Sequence, residues 1–94
     1  MNYKARHRPA VKWRKVMVVQ VAGGYVESVV NISVGFKASL GILRKVIEEK
    51  MGILESRQRL IFQGHPLLNN DRLLKDYGIA DGLTLHMVER PANA

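Results

Sequence analysis

One stretch of this chain alone has the pattern of an amphipathic helix. Ser39 can cap its start and Gly52 can end it. Between them, Leu40, Leu43 and Ile47 recur at i, i+3 and i+7, which places them on one helical face. Arg44, Lys45, Glu48 and Glu49 fall largely away from that face, and Ile42 and Val46 fall at its periphery. Gly41 is a poor interior residue, about 1 kcal/mol worse than alanine, and its place in the first turn softens the loss. The other patterned segments repeat at the period of a strand. A single helix must therefore cover one face of a small sheet.

The strands read as follows. Val16 to Val21 is a β-rich run, Ala22-Gly23-Gly24-Tyr25 turns the chain, and Val26 to Val34 returns it. In the return, Val30, Ile32 and Val34 alternate with Asn31 and Ser33, as in a half-buried strand. After the helix, Gln58 to Phe62 forms a strand that ends at Gly64. Its Leu60 and Phe62 point to one side; Arg59, Ile61 and Gln63 point to the other. Gly64-His65-Pro66 leads into Leu67-Leu68, a short strand, and Asn69-Asn70-Asp71 is turn chemistry. Asp71 to Tyr77 is a short, partly helical segment. Leu83 to Val88 is the last strand, with Leu83, Leu85 and Met87 on one face and Thr84, His86 and Val88 on the other. The order strand, strand, helix, strand, short strand, strand is α+β, a mixed sheet packed on one main helix in the β-grasp arrangement.

Composition bounds the remaining choices. Ninety-four residues allow one domain, and a hydrophobic share of 47% is enough to fill a small core. The chain has no cysteine, so disulfides and thiolate metal sites are excluded. No apolar run is long enough to span a membrane. The net charge of +7 is concentrated in Lys4, Arg6, Arg8, Lys12, Arg14 and Lys15, with no acid among residues 1–15. Beyond residue 15, nine basic residues face eight acidic ones. Residues 1–15 read as a disordered basic arm, 16–90 as the domain and 91–94 as a tail. The arm, with Trp13 for stacking or insertion, is a candidate for contacting nucleic acid or an anionic surface. The plainer reading, a solvated leader or linker, is favoured.

Three matches in order carry a resemblance to the ubiquitin family. Gln58-Arg59-Leu60-Ile61-Phe62-Gln63-Gly64 is similar to Gln-Arg-Leu-Ile-Phe-Ala-Gly of ubiquitin. Leu74-Lys75-Asp76-Tyr77-Gly78-Ile79 is similar to Leu-Ser-Asp-Tyr-Asn-Ile, and Thr84-Leu85-His86-Met87-Val88 to Thr-Leu-His-Leu-Val. The first hairpin resembles the family in pattern only. The resemblance implies a β-grasp fold over about Val16 to Arg90. It also implies that Tyr77 is structural, its hydroxyl bonding a loop backbone near Asn69. His65 stands where ubiquitin has its main chain-linking lysine. Glu89-Arg90-Pro91 stands where the conjugated members carry Arg-Gly-Gly, so conjugation is not expected. That ending resembles the fixed ubiquitin-like domains of scythe-type chaperones and ubiquilins, which are docking modules.

Two lines of reading meet at one surface. Strand alternation leaves Ile61 on the non-core side of one strand and His86 and Val88 on the non-core side of another. If these strands are neighbours, the three form an apolar patch rimmed by Arg59, Gln63, Gly64 and Arg90. The resemblance implies the same three residues as a recognition surface, completed in ubiquitin by a leucine in the first turn. That turn here is Ala22-Gly23-Gly24, and Leu67 is considered as a replacement from the other side.

Catalysis has no support. His7, His65 and His86 lack metal-ligand spacing, there is no phosphate-binding glycine loop, and no cofactor is expected. The leading expectation is a non-conjugated interaction domain, a monomer in the cytoplasm or nucleus. By resemblance it docks to proteasome receptors, to ubiquitin-associated or ubiquitin-interacting domains, or to chaperone complexes. The second is nucleic-acid or anionic-surface binding through Lys4, Arg6, Arg8, Lys12, Trp13, Arg14 and Lys15. The third, a conjugated modifier, is disfavoured.

Overall fold

The computed structural model describes residues 13–91. They form β1 (Trp13–Ala22), β2 (Tyr25–Gly35), α1 (Leu40–Met51), β3 (Gln58–Phe62), β4 (His65–Pro66) and β5 (Thr84–Glu89). Short 3-10 turns lie at Glu55–Arg57 and Leu74–Tyr77. The five strands make one sheet in the order β2-β1-β5-β3-β4. β1 and β5 run parallel; the other neighbours are antiparallel. This is the β-grasp arrangement, one helix on one face of a mixed sheet.

The helix ends are closed as the sequence requires. Ser39 Oγ accepts the Ile42 N–H at 3.2 Å. Gly52 takes the left-handed conformation at φ 74° and donates its N–H to the Glu48 carbonyl. The N–H groups of Leu40 and Gly41 donate to the carbonyls of Arg72 and Asn70, each at 2.9 Å. This docking explains Gly41. A Cβ there would stand 3.2 Å from the Asn70 carbonyl oxygen, so the helix gives up propensity for a close approach of two backbones.

The core lies between α1 and the inner sheet face. Val16 and Val18 of β1, Ile32 and Val34 of β2, Leu60 of β3, and Leu85 and Met87 of β5 are buried against Leu40, Leu43 and Ile47. The register makes this one layer, since Val18 lies opposite Leu85 and Leu60 opposite Met87. Because strand faces alternate, a one-residue slip would turn each set to solvent.

Two charged residues are placed differently from their sequence-based expectation. Arg44 does not lie on the solvated side of α1; it is buried. Its guanidinium donates to the carbonyls of Gln58 at 2.6 Å and Leu67 at 3.0 Å, and to Asn70 Oδ1 at 2.8 Å. Burial pushes its pKa below the ordinary arginine value, and the charge of Glu55 and, more weakly, Tyr77 act in the opposite direction. Gln58 answers from the strand, its Nε2 donating to the carbonyls of Arg44 and Ile53.

The second correction concerns the amino-terminal boundary. β1 begins at Trp13, not at Val16, and pairs with β2 from the first residue, Trp13 opposite Gly35. Arg14 is buried, donating to the carbonyls of Ile79 at 2.6 Å and Phe36 at 3.3 Å, with its guanidinium carbon 4.5 Å from the centre of the Phe36 ring. A hydrogen bond to each carbonyl and a stacked cation give Arg14 a structural post. The Lys15 N–H donates to Asp81 Oδ1. The ordered domain therefore takes in residues read as arm.

Replacing Arg44 with Met keeps helix propensity and length but strands two buried carbonyls and the part-buried Asn70 oxygen. It is expected to lower unfolding stability by about 2–4 kcal/mol. Leu85→Ala is expected to cost about 2–5 kcal/mol as a core truncation. Equilibrium urea unfolding measures both, and an Arg44→Met midpoint equal to wild type would contradict the role given to the guanidinium.

Candidate protein-interaction surface

β3 and β5 are neighbours, which settles whether the two halves of the patch meet. Ile61 lies directly opposite His86, and Arg59 directly opposite Val88. Directly opposed side chains on one face of an antiparallel pair have Cβ atoms about 4.5–5.5 Å apart. Ile61 and Val88 are half-buried; Arg59, His86, Gln63, Gly64 and Arg90 are exposed. All seven sequence-based candidates on this surface thus fall on or beside the outer ends of β3 and β5.

Each is held by something in the core. Leu60 and Phe62 are buried on the inner face, so Ile61 between them is turned outward. Leu85 and Met87 do the same for His86. The β3–β4 turn is the two-residue Gln63-Gly64, with φ 53° and 81°. Positive φ at both positions matches the primed turns that suit twisted hairpins. Gln63 is the one non-glycine residue with positive φ among those described. At the carboxyl end, Arg57 clasps Arg90. The Arg57 Nε–H donates to the Arg90 carbonyl at 2.9 Å, and the Arg90 N–H donates to the Arg57 carbonyl at 2.8 Å. Arg57 also pairs with Glu89 at 3.0 Å. The clasp fixes where Arg90 leaves the sheet.

The patch is wider than the sequence indicated. Val19 of β1 lies beside His86 in the parallel register, and Val29 of β2 lies opposite Val19. On the other flank Pro66 of β4 lies opposite Ile61. One outer-face row therefore crosses the whole sheet: Val29, Val19, His86, Ile61, Pro66. The signal was present in the all-apolar run of β1, whose even positions fill the core and whose odd positions, Met17 and Val19, cannot. Placing them beside His86 needs the parallel β1–β5 pairing, which no local pattern shows.

The first-turn leucine of the ubiquitin pattern has no substitute at Leu67. That side chain is buried in the core, and its N–H donates to the Leu60 carbonyl. The hairpin turn itself is a tight Gly23-Gly24 pair, both glycines at positive φ, with no loop to carry an apolar residue. Val19 and Val29 supply apolar surface from the strands instead. Tyr77 is where the resemblance puts it, its hydroxyl accepting the Asn69 N–H at 2.9 Å and donating to the Asn69 carbonyl at 3.3 Å.

Of the proposed basic contact set, Lys4, Arg6, Arg8 and Lys12 lie outside the described residues. Trp13 is in β1. Arg14 is withdrawn from the set by its burial, and Lys15 is exposed on β1. Among the described residues no group of three or more His, Cys, Asp or Glu side chains could hold a metal ion. No helix among them is long and apolar enough to cross a membrane.

The comparisons agree with this geometry. A family model described as the ubiquitin family matches residues 19–92. The chain is 38% identical over 55 residues to phosphatidylinositol 4-kinase gamma 4 of Oryza sativa subsp. japonica, covering 58% of this chain and 10% of that protein. It is 33% identical over 61 residues to ubiquitin-like protein 4B of Bos taurus, covering 65% of this chain and 36% of that protein. The chain thus spans about a tenth to a third of these curated relatives. Among solved structures, the UBL domain of Plasmodium falciparum Dsk2 superposes with a TM-score of 0.71 at 28% identity. That match covers 83% of this chain and 99% of the Dsk2 domain.

Three substitutions separate the surface from the scaffold. Ile61→Ala is expected to cost less than Leu60→Ala, which truncates the core by about 2–5 kcal/mol. Arg14→Ala is expected to destabilise by about 1–3 kcal/mol, because two carbonyls lose their donors. Thermal or urea unfolding of the three variants gives the ranking, and an Arg14→Ala variant as stable as wild type would return that residue to the arm.

Proposed function

The chain belongs to the ubiquitin family, and on that premise we propose that it is a non-conjugated docking domain whose recognition surface is the outer face of β3 and β5. Ile61, His86 and Val88 form its centre. Arg59, Gln63, Gly64 and Arg90 form its polar rim. The observation that carries this reading is the direct cross-strand pairing of Ile61 with His86 and of Arg59 with Val88. It joins in space the three residues that the family resemblance marks for recognition. Partners of this reading are proteasome receptors, ubiquitin-associated or ubiquitin-interacting domains, or chaperone complexes.

The chemistry sets the strength of such contacts. Burying one isoleucine contributes about 1.5–3 kcal/mol. Two half-buried aliphatics and a histidine give a small interface, in the transient micromolar class. Docking without conjugation has its own support. β5 passes through Glu89-Arg90 directly into Pro91-Ala92, so the position that would carry the reactive diglycine does not have it.

Binding of nucleic acid or an anionic surface through Lys4, Arg6, Arg8, Lys12 and Lys15 is the second reading, favoured by the clustering of charge at the amino terminus. The two respond differently to salt. Each phosphate contact adds about one unit of log–log slope, whereas an apolar patch is nearly insensitive. Titration of isolated proteasome-receptor and ubiquitin-associated domains against wild type and Ile61→Ala tests the docking reading. Micromolar binding that Ile61→Ala abolishes, with little dependence on salt, is the expected result. Affinity retained by Ile61→Ala would remove the patch from the mechanism.

A further inference from the structure

The two edges of the sheet are built differently. β4 is a two-residue strand, His65-Pro66, and proline lacks the N–H that pairing needs. β2, the opposite edge, is eleven residues long, and among the described residues β1 is its sole neighbour in the sheet. Devices that usually blunt an edge are sparse along it. It has no lysine, arginine or proline, and its one charge, Glu27, sits where the register with β1 shifts. Beyond that irregularity, Ser28 to Gly35 pairs regularly with β1 and carries no charge at all. Exposed apolar surface gathers at the same place. Tyr25 is 78% exposed, Val26 61% and Val29 51%, all on β2, and Phe36 follows at 41%.

We propose that β2 pairs antiparallel with β2 of a second copy of this chain, forming a dimer with one continuous sheet. The occupant follows from the asymmetry of the edges. A strand offering free backbone N–H and C=O groups can be met by any strand, but an uncharged one meets its own copy without repulsion. Because β4 is blunted, the second copy offers only its own β2. Pairing β2 to β2 is isologous and closes at two subunits, so it does not propagate into a fibre. The sequence alone leads to the expectation of a monomer, and the proposed dimer is a weak one.

The geometry has a consequence for the outer face. The two-fold axis of such a dimer runs normal to the sheet, so both copies present Ile61 and His86 on the same side. Seven strand spacings separate one β3 from the other, about 34 Å at about 4.8 Å each. A partner with two docking motifs would bind the pair with avidity.

Sedimentation of the full chain alone, from low micromolar to near-millimolar concentration, tests this. The expected result is an average mass rising from 10.6 kDa and levelling at twice that value. Amide exchange in Ser28–Gly35 should slow over the same range while β4 does not change. The double variant Val29→Lys, Asn31→Lys places lysines on the exposed face of the proposed junction and should hold the chain at the monomer mass with an unchanged circular dichroism spectrum. Ile61→Ala should dimerise like wild type, which keeps this result separate from the docking reading. A constant monomer mass, growth beyond the dimer, or a dimer indifferent to the two lysines would each overturn the proposal.

Discussion

The fold turns on a reciprocal clamp between helix and sheet. Arg44 sends its guanidinium from α1 to the Gln58 carbonyl, and Gln58 sends its amide back to the Arg44 carbonyl. The same guanidinium holds the Leu67 carbonyl and the Asn70 side chain. One planar group thus fixes the start of β3, the segment after β4 and the loop that docks on the first turn of α1. A lysine could not serve these acceptors in the same way, because arginine presents its donors in a fixed fork. The cost of burying the charge is met by three oxygen atoms, the carbonyls of Gln58 and Leu67 and the side-chain oxygen of Asn70. The interaction therefore specifies arrangement more than it adds net stability.

From that anchor the position of the surface follows by parity. Gln58 sets the register of β3, Leu60 and Phe62 then enter the core, and Ile61 has nowhere to go but outward. β5 obeys the same rule through Leu85 and Met87, and the pairing of Leu60 with Met87 brings Ile61 to His86. The proposed recognition surface and the core are thus supplied by adjacent residues of the same strand on opposite faces. This arrangement lets the outer face change without loss of the core, so a half-buried isoleucine can stand there for a reason unrelated to folding.

Much of this was legible in the sequence because it is local. Ser39 and Gly52 marked the helix, and the alternation of Val30, Ile32 and Val34 marked β2. The odd placement of Ile61 marked the surface before any neighbour was known. What failed was non-local. Arg44 looked solvated because helical spacing shows which face it shares but not that three acceptors arrive there from residues 58, 67 and 70. Arg14 looked like part of a basic run because its partners, the carbonyls of Phe36 and Ile79, lie 22 and 65 residues away. Leu67 looked available because a turn-flanking leucine gives no sign of which side it faces. Charge patterning along a chain records composition, and only the tertiary partners decide whether an arginine is a contact or a rivet.

The outer row from Val29 to Pro66 raises a question that burial alone answers. Val29 is exposed and Val19 only half-buried, so neither gains much from folding, and both add apolar surface to water. A sheet that needed only to fold would be as stable with threonine at these positions, since β-branching suits a strand whichever side is polar. Apolar residues on β2, β1 and β3, placed in register with His86 of β5 between them, have no such folding rationale. They give a contiguous strip instead, and contiguity is what distinguishes an interface from scattered surface hydrophobes. The strip begins at the open edge and passes through the paired Ile61 and His86, so the proposed docking surface and the proposed dimer edge share one physical feature. The core's packing demands stop at the inner face, so the apolar residues of the outer face are what the proposed docking surface is built from.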